Sequence, residues 1–179
     1  MEIQVWNREQ AIKNVKDISK KAMVISITSS GDSFPIFQEQ IDTKVLFLQF
    51  DDVDANDKKY KPMRPDQAQR TVDFVKENHD AELCIVHCDA GVSRSAAVAA
   101  AIGKFINGDD MFIFGRPRFS PNAHVYHLML NAFFGEYNRT EAFTKQNFNN
   151  EIWNFHFWNT SEQELQTAFY PTLDSFEKI

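Results

Sequence analysis

His87-Cys88-Asp89-Ala90-Gly91-Val92-Ser93-Arg94-Ser95 is the stretch on which the reading of this chain turns. An apolar run enters it, and an Ala-rich run leaves it and ends at Asn107-Gly108. The first predicts a buried strand over Leu83–His87, and the second a helix over Ser95–Ile106. A strand therefore passes into a short loop, and the loop into a helix. Gly91 permits backbone conformations that other residues resist. The loop N–H groups can then turn inward as an anion nest, reinforced by the positive end of the helix. Arg94, in the first helical turn, offers a planar fork to two oxygens of a phosphate. Cys88, at the base, faces this positive concavity. Such surroundings lower a thiol pKa from about 8.5 towards roughly 3.5–7.5. A thiolate facing a bound phosphoryl group is a nucleophile aligned for in-line attack.

Outward from the loop, strand and helix signals alternate. Ile3–Trp6 is a short strand candidate. Asn7-Arg8-Glu9-Gln10 fits a capping box and opens a helix to about Lys20. Ala22–Thr28 and Lys44–Phe50 both have the composition of buried strands. Pro65 opens a helix that carries Ala68, Val72 and Val75 on one face and ends near His79. Asn122–Phe134 is a further helix, stopped by Gly135. Continuous apolar strands interleaved with helices imply an α/β fold with a mainly parallel central sheet flanked by helices on both faces. Ligands of such folds sit beyond the carboxyl ends of the strands, where the Cys88 loop falls.

Composition limits the alternatives. With 179 residues the chain suits one domain without staples, and two cysteines exclude a disulfide scaffold. The longest wholly hydrophobic run, Ala96–Ile102, is far short of the roughly 20 residues of a membrane span. Met1-Glu2-Ile3-Gln4 carries no secretion signal, so a cytoplasmic location is expected. A net charge of −6 argues against nucleic acid as a partner. The charge is uneven. Residues 136–179 hold seven acids, three bases and ten of the aromatics, among them Trp153, Phe155, Phe157 and Trp158. A catalytic domain over 1–135 and an aromatic-rich C-terminal extension over 136–179 are therefore expected. The extension is expected to pack on the core, with a partner-recognition surface as its alternative.

At His87-Cys-x5-Arg94-Ser95 the sequence resembles the signature of the cysteine-dependent protein tyrosine phosphatases, and most of all their dual-specificity branch. The resemblance spans about 40–135, including Pro121-Asn122 ahead of the last core helix. It implies a hydrolase of phosphate monoesters, tyrosine-specific or dual-specificity, acting on phosphorylated proteins without cofactor or metal. It implies that Cys88 forms a cysteinyl-phosphate and that Arg94 and the loop amides of Asp89, Ala90, Gly91, Val92 and Ser93 bind the phosphate. Ser95 would donate to the departing sulfur, and His87 would support the loop.

The family also places an Asp on a loop after a strand, 30–40 residues before the Cys, as general acid and later base. Asp51, Asp52, Asp54 and Asp57 all follow the Lys44–Phe50 strand. Asp52 is favoured by its likeness to the Phe-Asp-Asp stretch of the regenerating-liver phosphatases. Phosphoinositide or nucleotide phosphatase activity, and a phospho-binding module of low activity, remain as alternatives. An acid at position 89 would disfavour a polyanionic headgroup if it faced the pocket. Arg116 and Arg118 are either rim residues or plain surface charges.

Other motifs carry less. Gly91-Val92-Ser93-Arg94-Ser95 lacks the last Gly of a serine-hydrolase elbow. His124 and His127 lack the further ligands of a zinc site. Cys84 lies on the same strand face as Cys88, roughly 13 Å away at about 3.3 Å per residue, which is beyond disulfide reach.

Overall fold

Two strands with no polar face organise the molecule. β2 (Ala22–Thr28) and β4 (Leu83–Cys88) are buried at every position, because each has a strand on both sides and protein on both faces. The computed structural model describes residues 1–37, 42–54 and 59–135, all within one compact unit that ends at Tyr137. Among these residues the sheet has four strands in the order β1-β4-β2-β3, with β1 (Glu2–Asn7) and β3 (Thr43–Gln49) at the edges. All three pairings are parallel. The expected α/β class and parallel sheet are observed.

Helices cover both faces, as parallel strands require. On one face, α1 (Arg8–Asn14) and the 3₁₀ turn Val15–Asp17 set Ala11 and Val15 on Ala22, Val24, Leu83 and Ile85. On the other lie α2 (Pro65–Glu77), α3 (Arg94–Asn107) and α5 (Ala123–Phe134), with the short α4 (Met111–Phe114) between the last two. Met23, Ile25, Ile27, Cys84 and Val86 face these helices. The Ala-rich sequence of α3 lets that helix sit close to the sheet. Ala96, Ala97, Ala99, Ala100 and Ala101 are fully buried.

Two expectations need correction, and one element had not been expected. The first helix stops at Asn14 instead of running to Lys20. Its buried residues are Ala11 and Val15, and Ile18 is already extended (φ −74°, ψ 120°) to deliver the chain to β2. The capping box is present in full, with Asn7 and Gln10 bonded reciprocally. The strand expected over Lys44–Phe50 begins and ends one residue earlier, and it is an edge strand, half-covered instead of buried. Its apolar run is explained by packing on both faces: Leu46 and Leu48 join the helical side, while Phe47 meets Phe34 and Phe37 on the other. Finally, α4 has no expected counterpart. Residues 136–179, with the expectation that they pack on the core, lie outside the described residues.

Candidate active site

β4 ends at Cys88 and α3 begins at Arg94, so the loop between them opens at the carboxyl end of one of the two interior strands. Cys88 is buried, and two polar groups converge on its sulfur. The Gly91 N–H donates to Sγ at 3.3 Å, and Ser95 Oγ lies 3.1 Å from it. Gly91 has φ +70°, and a Cβ there would stand 2.7 Å from Trp6 O and Asn7 N. The corner between β1 and α1 thus fits against the loop, and only glycine leaves room for it. Ser93 occupies the N-cap of α3 but makes no capping hydrogen bond. Its hydroxyl donates instead to Asp52 Oδ1 at 2.8 Å. The first-turn N–H groups of α3 therefore have no side-chain cap, which is the arrangement that receives an anion.

Arg94 is buried, yet most of its guanidinium is spoken for. Nη1 donates to the Phe50 carbonyl at 2.8 Å and to Ser29 Oγ at 3.1 Å, and Nη2 donates to Asp89 Oδ2 at 2.6 Å. Nε has no partner among the described residues. The end of the fork is held by the protein, and Nε alone is left without an acceptor. A buried N–H without a partner is costly, so an anion that accepts from it gains that cost back. Asp89 also accepts from Ser29 Oγ at 2.9 Å and has Arg8 Nη1 at 3.5 Å from its Oδ1. Burial acts to raise its carboxyl, but the hydrogen bonds from Arg94 and Ser29 and the charges of Arg94 and Arg8 outweigh it. The net result is a pKa below the usual carboxylate value. The side chain at position 89 is therefore bound to two arginines.

The acidic turn after β3 separates its candidates. Asp51 accepts from the N–H groups of Ser30 and Lys61, each at 2.8 Å, one on each oxygen. Burial raises its carboxyl, but these bonds, with the Arg94 charge, hold the pKa below the ordinary value. Asp52 instead points to the signature loop. Its Oδ1 accepts from Ser93 Oγ and, at 2.9 Å, from Asn122 Nδ2. Asn122 also caps α5 by accepting from the Val125 N–H. Asp54 is exposed, and Asp57 lies outside the described residues.

The remaining candidates occupy distinct places. His87 points to the α1 face, where Nε2 pairs with Ser26 Oγ at 2.8 Å and Phe37 meets the ring edge-on. Burial pushes its pKa down to about 4, so the ring is neutral at neutral pH. Cys84 is buried with its thiol pushed up to about 12. His124 Nε2 bonds to the Met63 carbonyl. Arg116 and Arg118 are exposed, Arg118 over the ring of Phe119. The segment that follows them meets the loop, where Ser120 N–H donates to Val92 O and Asn122 N–H to Ser93 O.

Several solved structures share this architecture. The human tyrosine phosphatase-like serine/threonine/tyrosine-interacting protein superposes with a TM-score of 0.52 at 19% identity, over 71% of this chain and 87% of its own. Human DUSP28 superposes with a TM-score of 0.51 at 19% identity, over 73% and 90%. The chain has a tyrosine phosphatase-like fold. The PTP-2 phosphatase of Cydia pomonella is similar to it at a TM-score of 0.50 and 19% identity, over 73% and 85%. No protein-family model matches the chain, and no curated protein matches it.

Within this phosphatase fold the structure brings together Cys88, Ser95, Arg94 and the loop, with Asp52 tied to the loop through Ser93. Sequence reasoning missed Arg8, Ser29 and the Asn122–Asp52 bond. Arg8 and Ser29 reach the site because β1 and β2 both border β4, and strand order is not encoded in periodicity. Pro121-Asn122 stood out only as a feature resembling the family's, with no partner assigned to it.

Proposed function

We propose that the protein hydrolyses phosphate monoesters of phosphorylated proteins, on tyrosine or on both residue classes, through a cysteinyl-phosphate on Cys88. The observation that carries this reading is the buried Arg94 guanidinium with an unpartnered Nε, at the loop whose Gly91 N–H meets the Cys88 sulfur. In the first step Cys88, as thiolate, attacks phosphorus. The bond from phosphorus to the leaving oxygen breaks, and Asp52 gives that oxygen its proton. Arg94 and the loop amides hold the equatorial oxygens. In the second step Asp52 takes a proton from water as the water attacks phosphorus. The S–P bond breaks, Ser95 donates a hydrogen bond to the released sulfur, and inorganic phosphate departs. His87 keeps the strand end in register through Ser26.

A second reading, a module that binds phosphorylated partners with little turnover, is favoured by one finding: a protein of this fold is named for interaction. Turnover of para-nitrophenyl phosphate in EDTA separates the two. Wild type is expected to exceed Cys88→Ser by at least about a thousandfold, the scale on which a nucleophile contributes. Equal rates would leave only the binding module. A phosphate-release panel of phosphopeptides, phosphoinositides and nucleotides then gives the substrate class.

A further inference from the structure

We propose that Arg8, acting through Asp89, is a positioning residue for the phosphate-binding guanidinium of Arg94. The inference rests on the phosphate-ester reading above and extends it to the first helix, far from the signature in sequence. Three acceptors hold Arg94, and Asp89 is central among them. Its Oδ2 takes both the Arg94 Nη2 bond and the Ser29 hydroxyl, and Ser29 in turn accepts from Arg94 Nη1. Asp89, Ser29 and Arg94 thus close a ring of hydrogen bonds. Whatever fixes Asp89 fixes the plane of the guanidinium, and with it the direction of the free Nε–H.

Arg8 fixes Asp89 twice. Its backbone N–H donates to the Asp89 carbonyl at 3.2 Å, and its side chain lies at Oδ1. The side chain is itself held by Thr28 Oγ1 at 2.6 Å and by the Ser33 carbonyl. Charge adds a second effect. Asp89 alone with Arg94 would neutralise it and compete with an incoming phosphate dianion. With Arg8 sharing the carboxylate, the three groups carry a net +1, and Arg94 keeps a field that attracts the dianion. Arg8 acts on substrate only through Asp89 and Arg94, so its effect falls on binding and leaves the chemical step nearly alone.

The test is a charge cycle measured on the full chain. Arg8→Met is expected to raise KM for para-nitrophenyl phosphate and Ki for inorganic phosphate together, on the order of five- to tenfold, with kcat within about twofold. Adding Asp89→Asn keeps an oxygen acceptor for Ser29 and Arg94 and removes the competing charge. The double variant is expected to recover most of the lost phosphate affinity. A merely structural role predicts the opposite, a double variant no better than Arg8→Met, and that result would overturn the proposal, as would an unchanged KM and Ki. If Arg8→Met does not fold, Arg8→Gln, which keeps donors for Thr28 and Ser33, carries the same expectation. Should wild type prove inactive, the hydrolase reading falls by itself, and titration calorimetry with inorganic phosphate still decides the role of Arg8. No phosphate binding by wild type would overturn both.

Discussion

In the proposed hydrolysis, Asp52 is the residue on which the chemistry of the leaving group turns. Sequence likeness already favours Asp52 among the four acids after β3, and the neighbours of the first two separate them: Asp51 has an amide on each oxygen, and Asp52 faces the loop that carries Cys88. Asp52→Asn is expected to slow hydrolysis of an alkyl phosphate by about a hundredfold or more. A para-nitrophenyl ester, whose leaving group needs little protonation, should lose much less. Similar losses for both esters would move the acid elsewhere. His87 gives a second expectation, for stability. Its folded pKa of about 4 lies below the ordinary 6.5, so between these values the unfolded chain binds a proton that the folded chain refuses. Stability is present in full above about pH 6.5 and falls as pH drops towards 4, by up to about 3 kcal/mol. Denaturant midpoints from pH 7 to 4 measure this, and His87→Asn should flatten the slope. Asp89 and Asp51, with lowered pKa values, add their own losses only at still lower pH.

At the scale of elements, the fit of the β1–α1 corner against the signature loop is the feature most sensitive to substitution. A Cβ on Gly91 would meet backbone atoms on the neighbouring segment at 2.7 Å, and backbone cannot rotate away as a side chain can. Gly91→Ala is therefore expected to cost about 2–4 kcal/mol and to reduce turnover more than tenfold, by shifting the loop amides. Urea melts and para-nitrophenyl phosphate kinetics test both parts. This contact also marks where the sequence was legible and where it was not. Strand–loop–helix around Cys88 was legible because apolar runs, a glycine and an Ala-rich stretch are local signals. So were the Asn7–Gln10 capping box and the stop at Gly108, which adopts the left-handed conformation. The end of α1 was not, because a short helix is set by which residues reach the sheet. Nor was the edge position of β3: Val45, Leu46, Phe47 and Leu48 are as apolar as a central strand. What covers them includes Phe34 and Phe37, from a loop without a strand or helix pattern.

At the scale of the whole molecule, strand order makes the site a joint product of distant segments. β4 brings Cys88, β2 leads into Ser29, β3 leads into Phe50 and Asp52, and α1 supplies Arg8. Periodicity predicts each strand and says nothing of its neighbours, which is why the signature was evident from sequence and its braces were not. The order has a consequence for how the protein comes into being. Each residue of β1 pairs with one 81 positions later, and each residue of β2 in that ladder with one 61 positions later. A chain made from its amino end completes β1, β2 and β3 before the strand that must lie between the first two exists. Until β4 is released, β1 and the inner edge of β2 lack the strand they pair with. The signature loop emerges just behind it, so Cys88, Arg94 and their braces from β1, β2 and α1 come together only late in synthesis.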